Sequence, residues 1–233
     1  VNVDQLIGKG SLSLTIKWNT SAFPDAKSVS LTLKTQEGNE VEVSTSDPEG
    51  GKVVIVKDNM DTGSYTLTAQ LLDGEGNILS GIAEAIRISN QEKTEGEISF
   101  PFSAGGGVGS GEIEISNNTS LPVEVEINGL ETLVEENKSF TLNISLPSSS
   151  PLSINDLECL WYLDGVEVGR GASITFNEGV KSGIHRIDVI SKTKDKGSMG
   201  STGKSFQAAA NTSHGDPYQK YTLTEGKDWK LGE

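Results

Sequence analysis

The residues that could do chemistry are few in kind. The chain has 33 Asp and Glu side chains against 19 Lys and Arg, with two histidines and one cysteine. A zinc site needs three or four Cys and His ligands at short, regular spacing. Cys159, His185 and His214 do not provide that pattern. Serines are plentiful, yet no G-x-S-x-G stretch offers the strained elbow that exposes a nucleophile. The carboxylates Asp156, Glu158, Asp164, Glu167 and Glu178 lie close in sequence. A glycosidase needs two of them facing each other across a cleft, which small β-domains rarely build. The expectation is a protein that is not an enzyme.

Two glycine-rich stretches imitate ligand loops. GSMGSTGKS, Gly197 to Ser205, resembles a phosphate-binding loop, but the position five before Gly203 is Ser198 rather than glycine. Such a loop also needs a helix behind it, whose N-terminal amides hold the phosphate. KSFQAA follows instead and reads as a final strand, so GSMGSTG reads as a loop between the last two strands. DGEGN places Asp73, Glu75 and Asn77 at alternate positions, with Glu84 twelfth, as in a calcium loop. Its sixth position is Ile78, where that loop needs glycine, and the flanking pattern is not helical. A hairpin turn is expected there. Neither a cofactor nor a metal is implied.

Aromatic pairs are the remaining candidates, because flat rings stack on sugars. In LECLWYLDGVEV, strand alternation puts Leu157, Cys159, Trp161 and Leu163 on one face and Glu158, Leu160 and Tyr162 on the other. Asp164-Gly165 is a two-residue hairpin signal. Trp161, about 24 residues before a strand that opens on His185, is expected in the core as the tryptophan of strand C in an immunoglobulin-like sandwich. Cys159 is expected beside it as a small buried hydrophobe. Tyr162 is then the ring left for an exposed face. Tyr218, Tyr221 and Trp229 gather in the last 23 residues. That tail has three open readings: an arm packing on the second sandwich, a contact for a partner or glycan, or a disordered end. The candidate ligand-binding residues are therefore Tyr162, Tyr218, Tyr221 and Trp229.

The elements that must position these residues are strands. SLSLTIKW, SVSLTLKT, EVEVST, KVVIVK, SYTLTAQLL, IAEAIRIS and GEISFPF are short apolar–polar alternations broken by turn residues. This is the pattern of a sandwich with one inward face per strand. SAGGGVGSG interrupts it at a glycine density that costs a strand too much backbone entropy. Alternation then resumes, and GEIEIS fits either side of the break. The fold class expected is all-β, two tandem immunoglobulin-like antiparallel β-sandwiches joined by a Gly-rich linker. The expected boundaries are 1–102, a linker at 103–111, 112–210 and a tail at 211–233. DTGSYTLTAQLLD and KSGIHRIDVISK echo one another: each has a glycine two residues before an aromatic ring. Tyr65 is expected to bond back to the chain as the corner residue of the first domain, with His185 as its counterpart in the second.

The formal net charge is −14. Without a clustered basic patch, such a surface repels nucleic acid and anionic lipid. No apolar run approaches the length that spans a bilayer as a helix. The single cysteine cannot form an internal disulfide, which argues against a disulfide-stapled eukaryotic secreted module but not against a bacterial exported protein. The sequons at Asn19, Asn117, Asn118, Asn137, Asn143 and Asn211 reflect an Asn/Ser/Thr-rich surface.

The stretch from Pro122 to Ala208, with WYLDGVEVGRGASITF and SGIHRIDVI, resembles PKD-related immunoglobulin-like modules of bacterial surface lipoproteins, although it has His185 where many carry another aromatic. GSYTLTAQLLDGEGNILSGIAEAIRIS resembles another immunoglobulin-like module of such proteins. The resemblance implies an exported, monomeric protein of the bacterial cell envelope. Its lipid anchor would lie ahead of Val1, and its partner would be a cell-surface protein or glycan. The expected role is adhesion, scaffolding or ligand presentation, with a carbohydrate-binding module of a glycan-capture system as the alternative.

Overall fold

Alternation becomes burial in the first strand. In β1 (Lys9–Lys17), Leu12, Leu14 and Ile16 are fully buried, while Ser13 and Thr15 between them are half-buried. The structure is a computed structural model that describes residues 7–104, 107–109, 113–115, 123–195 and 197–210. After β1 come β2 (Ser28–Thr35), β3 (Glu40–Val41), β4 (Ser44–Thr45), β5 (Lys52–Asp61), β6 (Gly63–Leu72), β7 (Ile78–Ile88) and β8 (Lys93–Ser99). Three short strands follow, β9 (Phe102–Ala104), β10 (Gly107–Gly109) and β11 (Ile113–Ile115). The remaining strands are β12 (Glu126–Asn128), β13 (Leu133–Glu135), β14 (Phe140–Ser145), β15 (Leu157–Leu163), β16 (Val166–Arg170), β17 (Ser173–Phe176), β18 (Gly183–Thr193) and β19 (Met199–Ala209). Among the described residues, the only helical piece is a single 3-10 turn at Ile154–Asp156.

These strands build two tandem immunoglobulin-like sandwiches. The first packs the sheet β11-β8-β1-β5-β4 on the sheet β3-β2-β6-β7. Leu12, Leu14, Ile16, Leu33, Ile55, Leu67, Leu71, Ile82, Ile86 and Phe100 fill the space between them. The second packs β12-β14-β17 on β13-β19-β18-β15-β16. Pairing is antiparallel except where β1 runs parallel to β8 and β13 parallel to β19. Within the glycine-rich stretch β9 and β10 pair as a hairpin. Ile113–Ile115 of GEIEIS, which the alternation left open to either sandwich, hydrogen-bonds to β8 of the first.

Trp161 is the plug of the second core. It is completely buried, and its indole N–H donates to the Gly171 carbonyl at 2.9 Å. Cys159 is buried beside it. The turn after β15 has Asp164 at φ 49° and Gly165 at φ 74°, the two left-handed residues that a tight hairpin needs. Both corners form. The Tyr65 hydroxyl donates to the Asp61 carbonyl at 2.7 Å, and His185 Nε2 donates to the Lys181 carbonyl at 2.9 Å, the same four-residue span.

One loop expectation is corrected. Met199 to Gly203 is not a loop but the first half of β19, paired along β18. The glycines are there for space. A Cβ at Gly203 would lie 2.0 Å from Asp188 Oδ1 and 2.2 Å from Arg186 Nη2, and one at Gly200 would lie 2.4 Å from the Val123 carbonyl oxygen. Room for neighbours on both faces of the sheet outweighs the low strand propensity of glycine.

Candidate functional site

Most of the chemistry-bearing residues are used to hold the fold. Asp73 Oδ1 accepts from the backbone N–H groups of Glu75 and Asn77 at 2.8 Å each, and Oδ2 accepts from Asn77 Nδ2. These bonds, led by that from the Asn77 side chain, hold the Asp73 carboxyl below its ordinary value. DGEGN is therefore a turn bonded to itself. Asp156 caps the 3-10 turn at Ser153, Glu167 pairs with Arg170, and Glu158 lies 3.4 Å from Lys192 Nζ. Burial pushes the Cys159 thiol up, partly offset by its contact with Ser191, which leaves it a poor nucleophile. No group of three or more His, Cys, Asp or Glu suited to a metal occurs among the described residues.

The aromatic candidates separate. Tyr162 is 6% exposed and faces the other sandwich, so it is not the open ring expected. Burial pushes its phenol up to about 12. Tyr218, Tyr221 and Trp229 lie outside the described residues.

What covers Tyr162 is the most elaborate site in the molecule. β7 is the last strand of its sheet. Its outward N–H groups would be bare, and buried backbone donors need partners. The second sandwich supplies them. The Ala83 N–H donates to Asp188 Oδ2 at 3.0 Å, and the Ala85 N–H donates to Ser201 Oγ at 3.1 Å. The Ser201 hydroxyl in turn donates to Glu84 Oε1. Between these bonds Ala83 and Ala85 pack on Leu160, Tyr162, Ile190 and Met199. Small side chains on this edge let β7 lie close against the sheet formed by β15, β18 and β19. Gly81 goes further, because a Cβ there would fall 1.9 Å from the Asp164 carbonyl oxygen in the β15–β16 turn. Lys192 Nζ reaches the Gln36 carbonyl at 3.2 Å and extends the seam toward β2.

The seam carries buried charge. Asp188 is 1% exposed, and its Oδ1 accepts from Arg186 Nε at 2.8 Å. Burial raises its carboxyl to about 6 against the pull of Arg186. Burial likewise raises Glu84 to about 7, opposed by its bond with Ser201. At the rim His185 Nδ1 lies 2.7 Å from Asp164 Oδ2. Burial alone would lower the histidine, but the bond to Asp164 and its charge outweigh burial and the net shift is upward. With an acceptor at each ring nitrogen, the imidazolium is the form that satisfies both.

Raised carboxylates in a cleft would suggest acid–base catalysis. Here Asp188 accepts from the Ala83 N–H and Glu84 from the Ser201 hydroxyl, so both groups bond across the seam between the two sandwiches. The sequence had one signal of this: LECLWYL and IDVIS are apolar at both parities, which is how strands buried on both faces read.

No protein-family model matches the chain, and no curated protein matches it. Among solved structures it is similar to the fibronectin(III)-like modules of Clostridium thermocellum CbhA, at 13% identity over 77% of this chain and 76% of that one, with a TM-score of 0.29. It is also similar to the central fibronectin-III array of RIM-binding protein, at 14% identity over 87% of this chain and 64% of that one, TM-score 0.29. Murine CEACAM1b aligns at 11% identity over 86% of this chain and 99% of that one, TM-score 0.27. Likenesses at this level assign no family. The chain is defined by its own geometry: two immunoglobulin-like sandwiches in tandem, the edge strand of the first seated on a sheet face of the second.

Proposed function

We propose that the chain is a non-catalytic surface module of a bacterial cell envelope, exported and lipid-anchored, that holds two sandwiches as one unit and presents its loops to a cell-surface protein or glycan. The observation that carries this reading is the seam. The face of β15, β18 and β19 that could have offered Tyr162 and its neighbours to a ligand is covered by β7. The groups suited to chemistry are consumed in joining the sandwiches. A monomer built this way serves as a stiff spacer or adhesive arm, with binding left to loops. No helix among the described residues is long and apolar enough to cross a membrane, in keeping with attachment through a lipid.

Glycan capture would now rest on Tyr218, Tyr221 and Trp229 without Tyr162. Two measurements decide between the readings. Protease shaving of intact cells, followed by immunodetection, should remove the protein from the surface; full protection in intact cells would overturn the surface assignment. Affinity electrophoresis against a polysaccharide panel should show no retardation. Retardation by one glycan that is lost in Trp229→Ala or Tyr221→Ala, with folding intact, would replace scaffolding with glycan capture.

A further inference from the structure

Carboxylates from both sandwiches converge on the seam, and the charges do not balance. Glu84 comes from β7 and Asp188 from β18, close enough that the charge of Asp188 raises Glu84. Facing them are the Arg186 guanidinium, on the same strand as Asp188, and the Ser201 hydroxyl from β19. Asp164, in the turn after β15, adds negative charge near Asp188 and is matched by His185. β6 contributes uncharged Gln70. Farther along, Arg87 is the next charged residue of β7, and Lys192 and Glu158 pair at the other end. Ala83, Ala85, Leu160, Tyr162, Ile190 and Met199 make the surroundings apolar.

Two carboxylates this close, Asp188 buried and Glu84 half-buried, with one guanidinium between them do not both ionise at little cost. Asp188 accepts from Arg186 and from the Ala83 N–H, the pattern of an ionised carboxylate. Glu84 has the Ser201 hydroxyl, a partner that serves a carboxyl group equally well. We propose that the seam is a proton-linked latch, which closes with a proton held on Glu84 beside Asp188 and loosens as that proton is lost. This holds whatever the surface binds.

The sign follows from linkage. With the seam open, Glu84 is an edge-strand side chain near its ordinary 4.5, and closure raises it to about 7. Closure therefore takes up a proton. The stabilisation is full below pH 4.5 and is lost as pH rises through 7. Asp188 acts in the same sense, from 3.8 to about 6. For Glu84 alone, linkage makes the closing constant fall by about 70-fold from pH 5 to pH 8, and for Asp188 by about tenfold, if each whole shift belongs to closure.

The test is hydrogen exchange of the Ala83 and Ala85 amides in the full chain, because their partners lie in the other sandwich. Leu14 and Val189, each inside one core, serve as fold controls. After correction for intrinsic base catalysis, protection of Ala83 and Ala85 should fall at least tenfold between pH 5 and pH 8 while the controls hold. Glu84→Gln keeps a polar partner for Ser201 without the titration and should flatten most of that fall. Equal protection at both pH values, or a Glu84→Gln profile that matches the parent, would overturn the latch. If Glu84→Gln loses the control protections, the parent titration decides: a fall in protection that runs through pH 5–7 and levels off above about 7 supports the proposal, and its absence refutes it.

Discussion

Replacing Gly81 by alanine isolates the seam from the rest of the fold. Gly81 lies in β7 without a positive φ, so alanine is compatible with its backbone. Within the first sandwich the change should be neutral or stabilising by about 0.4–1 kcal/mol, through a less flexible unfolded chain. All the nearest obstacles belong to the second sandwich. The added Cβ would meet the Asp164 carbonyl oxygen at 1.9 Å, its carbon at 2.2 Å and the Gly165 nitrogen at 2.9 Å. These are backbone atoms in a tight turn and cannot rotate away, so the sandwiches must part by roughly 1.5 Å to regain ordinary contact. That movement stretches the Ala83–Asp188 and Ala85–Ser201 bonds, now 3.0 and 3.1 Å, out of range. One bond to a carboxylate and one neutral bond are worth about 2.5–4 kcal/mol together, with about 1 kcal/mol more from loosened apolar contacts. Closure should weaken by roughly several hundredfold to several thousandfold. Spin labels at the exposed positions Asp25 and Glu178 would report it, since buried Cys159 will not compete for label. One narrow distance in the parent should broaden in Gly81→Ala, with the melting of each sandwich little changed. An unchanged narrow distance with Ala83 and Ala85 still protected would refute the reasoning. Early melting of the first sandwich would also refute it, by showing that Gly81 serves its own sheet.

Three further outcomes follow from the described geometry. Trp161→Ala should destabilise the second sandwich by about 3–5 kcal/mol in urea denaturation, because it empties the centre of the core and leaves the Gly171 carbonyl without its donor. Tyr65→Phe removes only the 2.7 Å bond to Asp61 and should cost about 1 kcal/mol, with the labelled distance across the seam unchanged. For His185, whose folded value is raised above 6.5, the contribution to stability is complete below that pH and is lost as pH rises through the raised value. The second sandwich should therefore melt at a lower temperature at pH 8 than at pH 5.5. Asp164→Asn should reduce the difference.

What the sequence determined was local. Leu12, Leu14 and Ile16 alternate because a strand turns successive side chains to opposite faces, and that periodicity survives any tertiary context. The Asp164-Gly165 turn and the two corners at Tyr65 and His185 were legible for the same reason, since each device closes over a few residues whose partners are near in the chain. The burial of Trp161 followed from its parity with Cys159 and Leu157. The other parity was a different matter. Whether the face carrying Leu160, Tyr162 and Ile190 meets water depends on β7, which lies some 80 residues away in the chain and in another sandwich. No local pattern encodes that distance. Ala83 and Ala85 read as ordinary strand residues of IAEAIRIS, and nothing local marked Gly81 as the space into which a turn fits. GSTG read as a loop because glycine favours loops by itself, whereas in the fold its missing side chain makes room for the buried Asp188–Arg186 pair. Glu84 entered the sequence reading only as the twelfth position counted from Asp73, and tertiary structure alone set it against Ser201 and beside Asp188. Strand identity is thus set by the periodicity of the chain. The seam, with its displaced proton, is set by desolvation, which only the packing of one sandwich on the other can impose.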